Sequence, residues 1–310
     1  MTVATLLIAL ALDLALGDPP NRWHPVAWVG CALGAGRRGL SGAHPGLLLV
    51  GGAALVAALA SLTAVLALTL EHALLPWPLA ALLVDAVLLK GALSLRGLFT
   101  AVTGVRHALE TGRLETAREV LGRDLVSRPV ALLDAGQVAS GAVESLAENL
   151  TDSLVAPVLF FVLGGVPAAW AYRVVNTADA MLGYHDGDLE YLGKAAARLD
   201  DALNWIPARL AAAALVAAAL AGGAGASGTR AWHALRRDGG KTASPNAGRT
   251  MAAMAGGIGV CLAKPGHYSL GDGPSPGPRA IGLALRVAAI ASALAVAASA
   301  LALAMLERGP

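Results

Sequence analysis

Charge is what this sequence has least of. Asp, Glu, Lys and Arg make up 14% of its 310 residues, against 56% hydrophobic residues, whereas a soluble domain carries about a quarter charged. That deficit, with a mean hydropathy of +0.63, excludes a water-soluble globule and puts the chain in a bilayer. Cysteine is nearly missing: Cys31 and Cys261 are too few for a disulfide framework or a cysteine zinc site. A formal charge of +2, with no concentrated basic surface, argues against nucleic acid as a partner. The order G-x-x-x-x-G-K-[ST] is absent, so there is no P-loop. The oily first segment has no basic start, and Asp13 and "GDPP" follow where a small-residue cleavage site should be, so a removable signal peptide is not expected.

What is present is long apolar runs. A spanning helix needs roughly 20 apolar residues, and stretches 45–70, 79–99 and 280–306 meet that length. Weaker candidates are 1–16, 153–172 and 206–226, which are short, polar at one end, or interrupted by Pro157, Gly164, Gly165 and Pro167. The expected fold is all-α: a polytopic integral membrane helical bundle of four to six membrane helices with large helical cytoplasmic loops, residues 1–310 forming a single membrane domain. If every candidate spans, loops 17–44, 100–152 and 226–280 share a face and carry fifteen Lys and Arg, against three in 71–78 and 173–205. The positive-inside rule makes the richer face cytoplasmic, with the N-terminus outside and the multi-pass chain in the inner cell membrane. The polar stretch 173–205 then falls on the far face, unless its flanks are re-entrant or it folds back into a cytoplasmic-side cavity shared by all the polar clusters.

Four clusters carry the chemistry. In "VESLAENLTDSLVAPVLF", Glu144, Glu148 and Asp152 recur every four residues, with Asn149 beside them. On a helix they share a face and repel. A divalent cation carrying phosphate oxygens would offset that repulsion, since Mg²⁺ takes one or two carboxylates plus ligand phosphates; the alternative is a solvated helix face. In the second, Asn176 and Asp179 lie one turn apart, Arg198, Asp201 and Asn204 share a face, and Asp200 adds an adjacent carboxylate. Arg presents a planar fork to phosphate, although Arg198 with Asp201 also reads as an i,i+3 surface pair. The third is Asp13 within the first apolar segment, then Asp18 held by Pro19 and Pro20, and His24, a phosphate or metal contact or a structural histidine. The fourth is "SPNAG", where Ser244, Asn246 and Gly248 make a turn leading into a helix start, a geometry that favours anions. Asp85 and Lys90, five apart in one apolar run, can pair with each other.

In these four clusters the chain resembles the CobD/CbiB family, the adenosylcobinamide-phosphate synthases of cobalamin biosynthesis. The resemblance rests on "GDPPNRWHPVAWVG", "ESLAENLTDSLVAP", "NTADAMLGY", "AAARLDDALNWIPARL" and "SPNAG", in that order and over nearly the whole chain. It implies an integral membrane enzyme, an ATP-dependent amide-forming ligase. Its corrinoid substrate would be adenosylcobyric acid, joined to (R)-1-amino-2-propanol or its O-phosphate with Mg²⁺ and ATP. Asp18, His24, Asn176, Asp179, Arg198, Asn204, Ser244, Asn246 and Gly248 occupy motif positions suited to substrate or phosphate. For the acids, chemistry suggests Glu144, Glu148, Asn149 and Asp152 as metal ligands, with Glu148, Asp200 and Asp201 as catalytic groups. Membrane lipid is a further expected partner, and a homo-oligomer stays open. One departure stands out: where the family pattern has Glu three residues after "SPNAG", this chain has Met251. A prenyltransferase holding Mg-diphosphate and a transporter relaying charge through Asp13, Asp85 and Lys90 are the rival readings.

Overall fold

The computed structural model describes residues 1–308 apart from His185 and Ala224, so His185 of the second cluster lies outside the described residues. The chain is mostly helical, and its strands among the described residues form one two-stranded hairpin. Four helical segments, Pro45–Ala73, Pro78–Glu110, Ala135–Leu182 and Pro278–Glu307, are long and apolar enough to cross a bilayer. Five qualify if Lys194–Leu203 and Trp205–Ala221, bent by 48°, count as one broken span. The expected all-α membrane fold is therefore what forms, within the expected range of helices.

Three of the expected runs differ in detail. Helix α1 (Val3–Leu16) has 14 residues, about 21 Å at 1.5 Å per residue, which is too short for a hydrocarbon core of about 30 Å. The 79–99 run is two helices, α4 (Pro78–Ala92) and α5 (Leu95–Glu110), because Leu93 turns extended (φ −90°, ψ 159°). The 153–172 run belongs to α8 (Ala156–Leu182), which is interrupted where expected: Gly164 and Gly165 leave helical geometry, Gly165 at φ +72° and ψ −165°, a region open essentially to glycine alone. Pro157 does not interrupt it.

The chain packs as two compact units and passes between them four times. One comprises 1–94, 156–204 and 299–310, the other 95–155 and 205–298. In the first, α2 (Pro25–Leu40), α3 (Pro45–Ala73), α8 and the short α9 (Leu189–Leu192) and α10 (Lys194–Leu203) enclose Leu33, Leu48, Val56, Val174, Ala178 and Leu192. Prolines at the first positions of α2, α3 and α4 suit helix starts, whose N–H groups lack intrahelical partners. Glycine at position 52 of α3 is required by packing, since a Cβ there would collide with the Leu192 carbonyl. Most other large side chains of α3, such as Val50, Leu62, Val65 and Leu66, stay exposed and face lipid.

The second unit holds α5, α6 (Leu114–Asp124), α7 (Ala135–Leu150), α11 (Trp205–Ala221), α12 (Gly228–Asp238), α13 (Ala247–Ile258), strands β1 (Leu262–Lys264) and β2 (Tyr268–Leu270), and most of α14 (Pro278–Glu307). A capping box starts α7: Asp134 accepts from the Gln137 amide at 2.8 Å, and the Gln137 side chain accepts from the Asp134 amide at 2.9 Å. The helix then widens into a π-helical turn over Thr151–Val155. The α12 and α13 backbones touch where Gly256 meets the Arg230 carbonyl, leaving no room for a side chain.

Candidate functional site

In the first unit, Asp18 sits at the centre of a polar knot. Lys90 Nζ lies 3.2 Å away, Ser94 Oγ donates at 2.7 Å and His24 Nε2 stands at 3.5 Å. Burial by itself raises the Asp18 carboxyl, but the bonds from His24 and Ser94 and the Lys90 ammonium outweigh it and hold the group well below the usual carboxylate range. Lys90 thus pairs with Asp18, not with the expected Asp85, whose Oδ1 is buried without a hydrogen-bond partner. Five residues put Lys90 and Asp85 on different sides of a helix, whereas Asp18 leaves α1 beside the end of α4. His24 Nδ1 accepts from the Val26 amide at 3.2 Å and caps α2, so this histidine has a structural task.

Also in this unit, Asp200 on α10 accepts Asn176 Nδ2 on one oxygen (3.2 Å) and Asn204 Nδ2 on the other (3.0 Å). Tyr172 OH bonds Asn204 Oδ1 at 3.0 Å, and Arg173 Nη1 bonds Asn176 Oδ1 at 3.3 Å. The kinked α8 and α10 therefore bring together three of the expected residues, Asn176, Asp200 and Asn204. Asp179 packs against Gly183 one turn further along. Arg198 is exposed and makes no ion pair with Asp201 among the described residues, despite the i,i+3 spacing.

In the second unit, the three acids of α7 and its π turn part company. Glu144 is buried at 4% exposure and satisfied: Ser140 Oγ donates at 2.7 Å, Tyr268 OH at 2.9 Å, and Arg128 Nη2 lies 3.1 Å away. The hairpin supplies this arrangement, since Tyr268 comes from β2 and the Ala263 amide of β1 donates to Ser140 Oγ at 3.0 Å. Burial first, then the charge of Glu144, pushes the Tyr268 phenol up, so it remains a proton donor. Glu148 is exposed and Asp152 half-buried. The π turn rotates Asp152 off the strict four-residue face, as such turns do at many functional sites. Among the described residues no group of three or more His, Cys, Asp or Glu is placed to hold a metal ion. Glu144, spent on Arg128, does not suit a ligand; Glu148 and Asp152 match the one or two carboxylates that Mg²⁺ takes alongside phosphate.

The "SPNAG" turn forms as expected. The Asn246 amide donates to Ser244 Oγ at 3.3 Å and the Gly248 amide to Thr242 Oγ1 at 3.0 Å. Gly248 has no room for a Cβ, which would stand 2.8 Å from the Gly239 carbonyl. Met251, 2% exposed, sets its sulfur 3.9 Å from Tyr268 OH, so the departure from the family pattern falls beside a carboxylate that is already satisfied. A cavity of about 510 Å³ opens nearby between α12, α13 and the glycine loop, residues 271–277 between β2 and α14, lined by Arg230, His233, Gly256, Gly259, Gly271 and Asp272. None of the expected site residues lines it.

The family model described as CobD/Cbib protein matches residues 6–305. The chain belongs to this family. It is 42% identical over 275 residues to the cobalamin biosynthesis protein CobD of Dehalococcoides mccartyi, covering 87% of each chain. It is 42% identical over 270 residues to the probable cobalamin biosynthesis protein CobD of Methanothermobacter thermautotrophicus, again 87% of each. With the CobD protein of Chromobacterium violaceum it shares 39% over 294 residues, 90% of each. No solved structure matches the chain.

Sequence reasoning missed the partners more than the acids. Lys90, Arg128, Tyr172 and Tyr268 lie between 16 and 124 positions from the groups they serve. No spacing rule reaches that far, and the one usable signal was a lone Lys deep in an apolar run.

Proposed function

We propose that this protein acts in cobalamin biosynthesis as the membrane enzyme that joins adenosylcobyric acid to (R)-1-amino-2-propanol or its O-phosphate through an amide bond, using ATP and Mg²⁺. The observation that carries this reading is the family match over 6–305, with the motif acids inside it. When bound, ATP and Mg²⁺ would supply the phosphoryl group that activates the carboxylate and the charge that offsets it.

The chain's own residues have separable tasks in this scheme. Glu148 and Asp152, at the widened end of α7, would hold Mg²⁺ against nucleotide phosphates, with Asn149 beside them. Asp200, kept in one orientation by Asn176 and Asn204, is set to receive the substrate ammonium or its proton, with Asp201 as its neighbour on α10. Asp18, His24 and Lys90 act by tying α1, α2 and α4 together. Asp179, Arg198 and the "SPNAG" residues Ser244, Asn246 and Gly248 remain candidates for phosphate.

For orientation, α1 is too short to cross. The segment before α3 then lies on one face, and counting the bent pair α10–α11 as a span returns 226–280 to that face. Under the positive-inside rule this face is cytoplasmic. The test is incubation of purified protein with adenosylcobyric acid, aminopropanol phosphate, ATP and Mg²⁺, followed by mass analysis of the corrinoid. The expected result is the mass of the amide, dependent on ATP; an unchanged corrinoid, or product formed equally without ATP, rejects the reading.

A further inference from the structure

We infer that Arg209 and Arg249 form a phosphate-binding site at the start of α13, a role the motifs assign to neither side chain. Arg209 stands in the first turns of α11, within "NWIPARL", and Arg249 in the first turn of α13, just after "SPNAG". Folding brings these two segments, forty residues apart, together in one unit. Arg209 stacks on Trp205 at 3.9 Å, donates from Nη1 to the Trp205 carbonyl at 2.6 Å and reaches Asn246 Oδ1 at 3.5 Å. Its guanidinium is therefore held in one plane. Arg249 is half-buried, and its Nε is fully buried with no hydrogen-bond partner.

Electrostatics makes this pair unusual. The charge felt by Arg209 is that of Arg249, another cation, and among the described residues neither has a carboxylate within ion-pair distance. Two guanidiniums half withdrawn from water, repelling each other at the positive end of a 12-residue helix, call for an anion. A dianion neutralises both where a carboxylate would neutralise one, and the guanidinium fork matches phosphate oxygens. Packing alone explains Arg209, whose stem and ring contacts suffice, but not the buried, unanswered Nε of Arg249.

The inference deepens the proposed function by giving a place to a phosphate of the nucleotide or the phosphorylated amine, and it rests on that reading only for which phosphate arrives. The shared chemistry also fits a phospholipid headgroup. The test uses the full-length protein in non-ionic detergent, followed by thermal unfolding in phosphate-free buffer and with inorganic phosphate at constant ionic strength. Phosphate should raise the melting temperature of the wild type. Arg209→Gln and Arg249→Gln should each weaken the apparent affinity by about tenfold or more, the size of a lost charged hydrogen bond. Arg249→Lys, which keeps charge and loses the fork, should fall between. In phosphate-free buffer Arg249→Gln should melt no lower than the wild type, because a repulsion has been removed. If phosphatidylglycerol added to the micelles displaces phosphate in an Arg-dependent way, the site stands and the headgroup is its source. Equal protection of wild type and variants, or no protection of the wild type, overturns the inference. Neither outcome depends on product formation, so the site and the proposed reaction can fail separately.

Discussion

Around α12 and α13 the same unit handles charge in two opposite ways. At the end of α12, Asp238 is 1% exposed and closed off on every side. Arg237 Nη2 stands at 2.6 Å, Lys241 Nζ at 2.6 Å, and the Gly271 amide donates at 2.8 Å. Arg237 also pairs with Asp272, tying the glycine loop to the helix. At the start of α13, Arg209 feels the charge of Arg249, and among the described residues neither has an acid within ion-pair distance. On α7, Glu144 is likewise closed in, by Arg128, Tyr268 and Ser140. A closed network of charge holds the architecture; an open one is available to a ligand. The difference predicts a dissociation, in which changes at closed groups lower stability and changes at open groups lower activity.

The largest effect belongs to the two acids proposed to hold Mg²⁺. Glu148→Ala and Asp152→Ala should each reduce amide formation by about a thousandfold, near 4 kcal/mol of transition-state stabilisation. Their melting temperatures should stay close to wild type. Product analysis beside a thermal melt in detergent checks both halves. Wild-type turnover in both variants would break the comparison at its functional end.

Next comes the closed acid. Asp238→Ala strands two cations and one amide, but Arg237 and Lys241 are about half exposed and recover water. The loss should therefore be about 2–3 kcal/mol, short of that for a fully buried pair. Hydrogen bonds from Arg237, more than offsetting burial, and from Lys241 hold the Asp238 carboxyl far below the usual range. A depressed folded pKa means that the stabilisation is complete above the unfolded value near 4 and is lost as pH falls through the folded one. Asp238→Asn should flatten that acid limb, read as the slope of melting temperature between about pH 5 and pH 2. An unchanged slope would mean that Asp238 contributes nothing through its charge.

Much of this division was legible in sequence, and its limits are physical. Hydropathy located Pro45–Ala73 and Pro278–Glu307 because an apolar run of that length has few other destinations, and Gly164–Gly165 marked a real break in α8. Hydropathy could not tell lipid-facing from protein-facing helices: the apolar window in Pro45–Ala73 is 11% buried, that in Ala135–Leu182 is 61%. Asn176, Asp200 and Asn204 fell within one sequence cluster, but the face expected there was Arg198, Asp201 and Asn204, whereas the acid that Asn176 and Asn204 hold is Asp200. The equal spacing of Glu144, Glu148 and Asp152 misled, since it concealed the π turn and the enclosure of the first acid by a hairpin more than a hundred residues away. That hairpin was not expected at all: two strands of three residues around Gly266 leave almost no pattern to read.

The smallest effect tests the hairpin's part in closing the Glu144 network. Tyr268→Phe removes one hydrogen bond to a carboxylate that keeps Arg128 and Ser140, so the loss should be about 1 kcal/mol. Coupled with Glu144→Gln in a double-mutant cycle, it should show an interaction energy of similar size, because the phenol's task is to donate to that charge. The alkaline side gives an independent reading. Burial and the charge of Glu144 push the Tyr268 phenol up, so the folded protein keeps a proton that an unfolded tyrosine loses near pH 10. Stability must then fall as pH rises beyond about 10, and Tyr268→Phe should make that fall shallower. A cycle with no coupling and an unaltered alkaline slope would show that the hairpin merely covers Glu144, leaving Arg128 and Ser140 to close the network.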